Sequence, residues 1–145
     1  MGNISKDINS SFPNERIKAM INIKYTANWL TSKEIRFLKP FGISPQQYNI
    51  LRILKGAGEQ VKVQVVKERM IERSPNATRL MDKLCEKGLI ERVRCEEDRR
   101  VVFVEINKNG LGLLNKVKEF RENDFLNKVS VEEAKTLNEL LDKIR

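Results

Sequence analysis

The sequence predicts a mainly α-helical fold with one small antiparallel β-ribbon. Apolar residues recur at helical spacing through most of the 145-residue chain, and capping residues, prolines and glycines bound the periodic stretches. In contrast, residues 101–106 are β-branched and aromatic, and residues 89–94 alternate between apolar and charged side chains. Polar residues 96–100 join these two runs, which is typical of a hairpin. The predicted order is α-α-α-α-β-β-α-α, with a short extra strand near Val61.

The first two long helices have clear boundary signals. Residues 1–12 are polar and are expected to be frayed. Pro-Asn-Glu at 13–15 begins a long helix that Lys-Pro at 39–40 ends, and its broad apolar stripe predicts burial on more than one side. The next helix begins with Ser44 as N-cap before a proline, and it ends at Gly-Ala-Gly, 56–58.

A short third helix is predicted from the apolar residues Val65, Val66, Met70 and Ile71. A fourth helix opens with Ser-Pro-Asn at 74–76 and closes at Lys-Gly, 87–88. Its apolar residues recur at helical spacing and predict a core-facing side, which consists of Ala77, Leu80, Met81 and Leu84. The opposite side is polar and consists of Asn76, Arg79, Asp82, Lys83 and Glu86.

Two helices are predicted after the ribbon. Asn-Lys-Asn-Gly at 107–110 predicts a break after the ribbon. A long helix with an apolar stripe is predicted to follow it, from Leu111 as far as Leu126. Ser130 and Glu133 form a capping box that begins the last helix. The stripe of this helix consists of Ala134, Leu137, Leu140, Leu141 and Ile144.

Composition excludes several classes of chemistry. The chain contains no histidine, so the commonest general base and metal ligand are missing, and we expect no catalytic residue, metal site or cofactor. The Gly-Ala-Gly at 56–58 lacks the context of a phosphate-binding loop. Cys85 and Cys95 form no disulfide framework, and Cys85 is expected to be a small core residue. An enzyme that uses paired carboxylates stays open as an alternative, although no pair is marked out.

The net charge of +8 fits an anionic partner, but the distribution of charge along the chain does not indicate where such a partner would bind. Residues 1–58 hold nine basic and three acidic side chains, residues 59–108 hold twelve and ten, and residues 109–145 hold seven and seven. The surplus is therefore largest outside the fourth helix and the ribbon. Support for nucleic-acid binding has to come from where individual charges lie.

The start of the fourth helix suits DNA. A helix in the major groove presents its N-terminal residues to base edges, where Asn suits adenine and Arg suits guanine. The candidate DNA-binding residues on this helix are Ser74, Pro75, Asn76, Thr78, Arg79 and Lys83. The alternative is a plain capped surface helix in which Arg79 pairs with Asp82.

The ribbon tip provides a second candidate contact. Asp98, Arg99 and Arg100 lie at the predicted turn, and an arginine can enter a narrow minor groove, where the negative potential is enhanced. The alternative is a solvated charged turn, because Glu96 and Glu97 make the local balance nearly neutral.

Taken in order, these motifs resemble the MarR family of bacterial transcription regulators. Residues 74–92 match the family pattern of a small polar opening, Thr-Arg-Leu-x-Asp-x-Leu and then Lys-Gly-Leu-x-x-Arg. Asp-Arg-Arg at 98–100 resembles the family's Asp-x-Arg wing tip, and Lys-Asn-Gly at 108–110 resembles its Glu-Lys-Gly. The resemblance covers residues 13–145. The chain departs from the pattern at 71–73, where Ile-Glu-Arg replaces the usual glycine and apolar residue.

The resemblance implies a winged helix-turn-helix lobe at 44–106, flanked by dimerisation helices at 13–39 and 108–145 in a single domain. It also implies that Asp98 positions the second arginine of the wing. The expected function is a homodimeric repressor that binds double-stranded DNA at a pseudo-palindromic operator and is released by a small aromatic or anionic effector. The family's effectors bind between the dimer helices and the DNA-binding lobe, where the candidate residues are Tyr25, Trp29, Tyr48 and Phe120. The alternative for these aromatics is ordinary core packing.

Two other interpretations concern partners and compartment. A winged-helix protein-interaction module would bind DNA only without sequence preference. The chain has no secretory signal and no apolar run approaching the roughly 18–20 residues needed to span a bilayer, so we expect a cytoplasmic protein without a membrane partner. The absence of a cysteine near the first helix does not support the oxidant-sensing mode of some family members.

Overall fold

The computed structural model describes residues 2–119 and 125–145. It confirms the predicted mainly helical fold with a small antiparallel sheet. Two short 3-10 turns lie at Lys39–Phe41 and Phe125–Lys128. The helices and strands are α1 (Ile4–Asp7), α2 (Glu15–Leu38), α3 (Pro45–Ala57), β1 (Val61–Lys62), α4 (Val63–Arg69), α5 (Ala77–Glu86), β2 (Ile90–Arg94), β3 (Val102–Ile106), α6 (Lys108–Glu119) and α7 (Val131–Ile144). The part of the predicted fifth helix, 111–126, that falls on 120–124 lies outside the described residues, and its last two residues belong to the second 3-10 turn instead.

Local capping signals place the long helices as predicted. The side chain of Asn14 accepts a hydrogen bond from the Ile17 amide at 3.0 Å at the start of α2. Ser44 and Ser130 each complete a capping box at the starts of α3 and α7. Gly58 ends α3 with a φ of 69°, a left-handed conformation that a glycine adopts without steric cost.

The sheet has the strand order β1-β3-β2, and both pairings are antiparallel. Val61 lies opposite Val104, so the predicted extra strand is confirmed, whereas Val63 begins α4 instead of extending the strand. On the opposite edge of β3, Arg94 lies opposite Val102 at the outer end of the hairpin. The hairpin thus projects from the sheet as a wing, here defined as residues 95–101 between β2 and β3.

Most of the core lies in the winged part of the chain, and three buried side chains of α2 and α6 complete it, namely Leu38, Leu114 and Val117. Side chains from α3, α5 and β3 meet there without solvent exposure, among them Leu51, Met81 and Val104. The predicted core-facing side of α5 is confirmed, since Ala77, Met81 and Leu84 are fully buried and Leu80 packs against them.

The predicted burial of α2 on more than one side is wrong for the single chain. Among its residues only Leu38 is buried, whereas Met20 is 47% exposed. The apolar stripe of α7 is also largely uncovered, and Leu140 is 55% exposed. The reason is that α3, α4, α5 and the sheet already fill the core, so these stripes have nothing within the described chain to pack against.

The N-terminal segment is more ordered than predicted. Residues 1–12 were expected to be frayed, but α1 forms there, with the Asn3 side chain accepting a hydrogen bond from the Ser5 amide at 3.1 Å. Ile4 is buried against α2, where it shares a cleft with Tyr25 and Trp29. Burial of this isoleucine offsets part of the entropy lost when the segment is ordered.

Gly110 does not act as the predicted break before α6. It is buried inside the first turn of that helix, and the Asn107 side chain accepts its amide hydrogen bond at 3.0 Å. A Cβ atom at Gly110 would overlap the Leu89 carbonyl oxygen and would lie 2.6 Å from Cγ1 of Ile106. The glycine is therefore required for close packing of α6 on the sheet.

Candidate nucleic-acid interface

Helix α5 begins later than its predicted opening at Ser74. Ser74 Oγ accepts a hydrogen bond from the Asn76 amide at 3.1 Å, and the Ser74 carbonyl accepts one from the Ala77 amide at 3.2 Å. Asn76 occupies the N-cap position but forms no side-chain capping bond. Ser74 therefore stabilises a tight turn that leads into the helix, and the Asn76 side chain stays exposed at its start.

The turn before α5 is stable without the glycine found in the MarR pattern. Residues 71–73 all have negative φ angles, so a glycine is not needed. Asn49 of α3 accepts a hydrogen bond from the Ile71 amide at 3.0 Å, and Gln46 donates to the Glu72 carboxylate at 3.0 Å. Helix α4 ends at Arg69, so Ile71 is not part of the third helix as its apolar side chain had predicted. Ile71 is instead 90% exposed.

Three of the candidate DNA-binding residues on the polar side of α5 are accessible. Thr78, Arg79 and Lys83 are exposed. The alternative pairing of Arg79 with Asp82 is not formed, because Asp82 binds Arg92 at 2.7 Å. Within residues 2–119 and 125–145, Arg79 forms no salt bridge and its guanidinium stays available to a ligand.

Arg92 joins α5 to strand β2, a role that sequence reasoning missed. Its guanidinium binds the Asp82 carboxylate and donates to the Thr78 carbonyl at 3.4 Å. Residues 74–92, which match the family pattern, contain both Asp82 and Arg92. The spacing of the two residues did not indicate that their side chains are in contact. Nearby, burial raises the pKa of the Cys85 thiol, which fits the prediction of a small core residue packed against the hydrophobic cluster.

Backbone hydrogen bonds shape the wing. Asp98 Oδ1 accepts from the Arg100 amide at 2.9 Å, and the Asp98 carbonyl accepts from the Val101 amide at 2.9 Å. Asp98 thus fixes the backbone of Arg100 rather than its guanidinium. Arg99 and Arg100 are exposed, and neither forms a salt bridge with another described residue.

Two grooves lie among α4, α5, the turn before α5 and the wing. The first, called the wing groove, has a volume of about 330 Å³. Three valine side chains line it together with Lys62, Gln64, Lys67, Thr78, Arg92 and Arg100. The second, called the turn groove, has a volume of about 550 Å³. Its lining consists of Gln64, Lys67, Glu68, Arg73, Ser74 and Pro75.

The grooves bring some of the predicted site residues together. Thr78 of α5 and Arg100 of the wing line the same groove, and Ser74 and Pro75 line the adjacent one. The exposed Asn76, Arg79, Lys83, Asp98 and Arg99 line neither groove. Sequence reasoning did not identify Lys62 and Lys67, because a lysine in a short strand or helix has no motif that marks it.

The C-terminal end of α5 is bound to its neighbours on both sides. Lys87 Nζ donates a hydrogen bond to the Gly42 carbonyl, in the turn that precedes α3. Asn107, just before α6, donates to the Gly88 carbonyl at 2.8 Å. The end of α5 is thus connected to the segments that lead from α2 and into α6.

The four aromatic residues predicted for an effector site are only partly brought together. Tyr25 and Trp29 line a cleft of about 460 Å³ between α1 and α2, and Lys33 Nζ lies 5.5 Å from the Trp29 ring centroid. Tyr48 does not line this cleft and packs against the core of the winged part. Phe120 lies outside the described residues.

Comparison with known proteins identifies the family. The family model described as MarR matches residues 43–102. The transcriptional regulator MhqR of Bacillus subtilis is 30% identical over 108 residues, which cover 71% of this chain and 72% of MhqR. The chain belongs to the MarR family. The transcriptional regulator PecS of Dickeya dadantii is 32% identical over 110 residues, covering 72% of this chain and 66% of PecS.

Solved MarR-family structures share the fold. A mutant MarR from E. coli, complexed with operator DNA, superposes with a TM-score of 0.76 at 22% identity, covering 92% of this chain and 99% of that one. A MarR transcription factor from Planctomyces limnophilus has a TM-score of 0.68 at 30% identity, covering 91% and 98%. The predicted winged-helix fold is therefore confirmed, and the chain is a DNA-binding transcription regulator of this family.

Regulators of the MarR family are not enzymes, which confirms the prediction that this chain is not one. In the described part of the chain, no group of three or more His, Cys, Asp or Glu side chains could hold a metal ion. No helix in those residues is both long and apolar enough to cross a membrane.

Proposed function

We propose that this MarR-family protein is a homodimeric repressor that binds a pseudo-palindromic operator and is released by a small effector. The observation that carries the proposal is the wing groove, which places Thr78 of α5 and Arg100 of the wing on one basic surface. A helix and a wing on the same surface fit the adjacent major and minor grooves of one duplex. The E. coli relative bound to operator DNA supports the same class of ligand here.

The exposed residues have distinct roles in this proposal. Asn76, Thr78 and Arg79 contact base edges in the major groove, because they occupy the first turns of α5. Arg100 enters the minor groove. Asp98 positions its backbone, because the Asp98 carboxylate accepts a hydrogen bond from the Arg100 amide at 2.9 Å. The remaining contacts are to the DNA backbone and come from Ser74, Pro75, Lys83 and Arg99.

The uncovered apolar stripes of the terminal helices support a homodimer. Met20 on α2 and Leu140 on α7 are about half exposed in the single chain, a large cost unless a second copy covers them. In this arrangement residues 13–39 and 108–145 form the interface. The two winged lobes then meet half-sites one helical turn apart, roughly 34 Å.

The cleft beside α1 supports the effector site. Its volume of about 460 Å³ suits a small molecule, and the aromatic walls of Tyr25 and Trp29 beside Lys33 suit an aromatic or anionic compound. Tyr48 packs against the core of the lobe and is not part of this cleft, and Phe120 lies outside the described residues. An effector bound here would change the spacing of the two lobes.

Selection from a random DNA pool tests the proposal. The wild-type protein should enrich an inverted repeat, and a promoter that carries this repeat should be repressed when the protein is produced. The double variant Arg79→Ala/Arg100→Ala is the control and should enrich no sequence. Absence of a shared sequence with the wild type would instead favour a winged-helix interaction module that binds DNA without preference.

A further inference from the structure

We infer that Lys62 and Lys67 hold the DNA strand that separates the major groove occupied by α5 from the minor groove entered by the wing. This inference rests on the proposed function and adds two residues to it. Neither lysine belongs to a motif of the sequence, and both lie in the wing groove.

The positive charge of the wing groove is not balanced by any carboxylate in its described lining. None of its lining residues in the described chain carries a carboxylate, whereas four carry a positive charge. Arg92 is already paired with Asp82 at 2.7 Å, and Arg100 is assigned to the minor groove. Lys62 and Lys67 are therefore the cations of this groove that are left to bind an external anion.

Lys67 lies where the two grooves meet. It lines both the wing groove and the turn groove, and its residue is half-buried. The neighbouring carboxylate of Glu68 accepts a hydrogen bond from Gln64 at 3.1 Å, and Lys67 forms no salt bridge with any residue in 2–119 or 125–145. A lysine that lines two open grooves and has no carboxylate partner is well suited to bind phosphate.

Lys62 lies on the side of the groove nearest the wing. Strand β1 places it opposite Phe103 of β3, so the strand that carries the wing also fixes the position of Lys62. The groove itself lies between Thr78 of α5 and Arg100. In a duplex, adjacent major and minor grooves are separated by one sugar-phosphate strand. When α5 and Arg100 occupy adjacent grooves, that strand must cross the wing groove and meet both lysines.

Substitution of each lysine by glutamine tests the inference through salt dependence. The probes are the duplex recovered from the random pool and a duplex of the same length with its bases shuffled. Affinity for both should fall by the same factor in Lys62→Gln and in Lys67→Gln, because phosphate contacts carry no sequence information. The slope of log K against log salt should fall by about 1 per lost contact, or about 2 per dimer, so the loss grows as salt is lowered.

Two variants provide matched controls. Lys55→Gln removes the same charge from an exposed position on α3 outside both grooves and should keep the wild-type slope. Lys67→Arg keeps the charge and should restore affinity. Thermal unfolding of each variant should match the wild type, which separates lost binding from lost folding.

The outcomes separate this inference from the proposed function. Wild-type slopes in both glutamine variants would overturn it, as would a slope in Lys55→Gln that falls equally. A loss confined to the selected duplex would also overturn it, since it would mean base readout. If the proposed function is wrong, the wild-type protein will recover no shared sequence from the random pool, or will bind the recovered and shuffled duplexes equally well, whatever the two lysines do.

Discussion

Leu51 on α3 and Leu140 on α7 are chemically identical and lie on helices of similar length, 13 and 14 residues. Leu51 is fully buried, whereas Leu140 is 55% exposed. The difference shows that the lobe core, which includes Leu114 and Val117 of α6, is complete within one chain, whereas α7 presents an apolar stripe that nothing in the described chain covers. Stability of the lobe should therefore be intrinsic, and stability of the terminal helices should depend on a second copy.

The largest expected effect is that of Leu51→Ala. Removing a buried leucine side chain from a filled core should lower the free energy of unfolding by about 2–5 kcal/mol. Urea unfolding followed by circular dichroism measures this loss, and it should be the same at every protein concentration.

Leu140→Ala is the matched control for that substitution. Because Leu140 is covered only in a dimer under the proposed function, its loss should lower the unfolding midpoint in a way that depends on protein concentration. A concentration-independent loss as large as that of Leu51→Ala would contradict the contrast between the two regions.

Gly110→Ala should have the next largest effect, because it disturbs the joint between the lobe and α6. Its Cβ would overlap the Leu89 carbonyl oxygen, so the backbone must shift at a cost of about 1–3 kcal/mol. A Cβ atom at Gly112, in the same helix, would have no neighbour within 4 Å, so Gly112→Ala should stabilise by about 0.5–1 kcal/mol. Thermal unfolding of the two variants should therefore shift in opposite directions.

DNA binding should depend on particular positions of the lobe. Arg79→Ala and Arg100→Ala should each weaken operator binding by about 1–3 kcal/mol. Arg52→Ala, at an exposed arginine on α3 outside both grooves and outside the proposed dimer interface, should leave the affinity unchanged. A mobility-shift assay at fixed salt measures the difference, and unchanged binding by either lobe variant would remove that residue from the interface.

The smallest effect concerns pH and α7. Hydrogen bonding to Ser130, chiefly to its backbone amide, lowers the pKa of Glu133. A lowered pKa in the folded state means that this capping contribution is fully present above the ordinary Glu pKa and is lost as pH falls through the lowered value. Glu133→Gln should therefore reduce the thermal midpoint near pH 7 more than at about pH 3.

The sequence predicted what short-range signals determine. Ser44 and Ser130 cap the helices they were expected to cap, since a capping box is formed within four residues. The buried side of α5 followed from apolar periodicity in the same way.

The features that were missed depend on contacts between distant residues. Ile71 fits the apolar pattern of α4, but the hydrogen bond from its amide to Asn49 holds the chain in a turn and leaves its side chain in solvent. In the sequence, Gly110 resembles a residue that separates two elements. Its role in close packing depends on Ile106 and Leu89, which lie against it only in the folded chain. Likewise, the position of Lys67 between two grooves is defined by α5 and the wing, not by the sequence around it.

The hydrogen bonds at the C-terminal end of α5 connect this helix to the segments next to α2 and α6. Lys87 donates to the Gly42 carbonyl before α3, and the Gly88 carbonyl accepts from Asn107 before α6. The opposite end, about 15 Å away for a helix of this length, is also held, because Ala77 is buried and the Thr78 carbonyl accepts a hydrogen bond from Arg92. A change in the separation of α2 and α6 would therefore move α5 as one body with the lobe, and Asn76 at its far end would move with it.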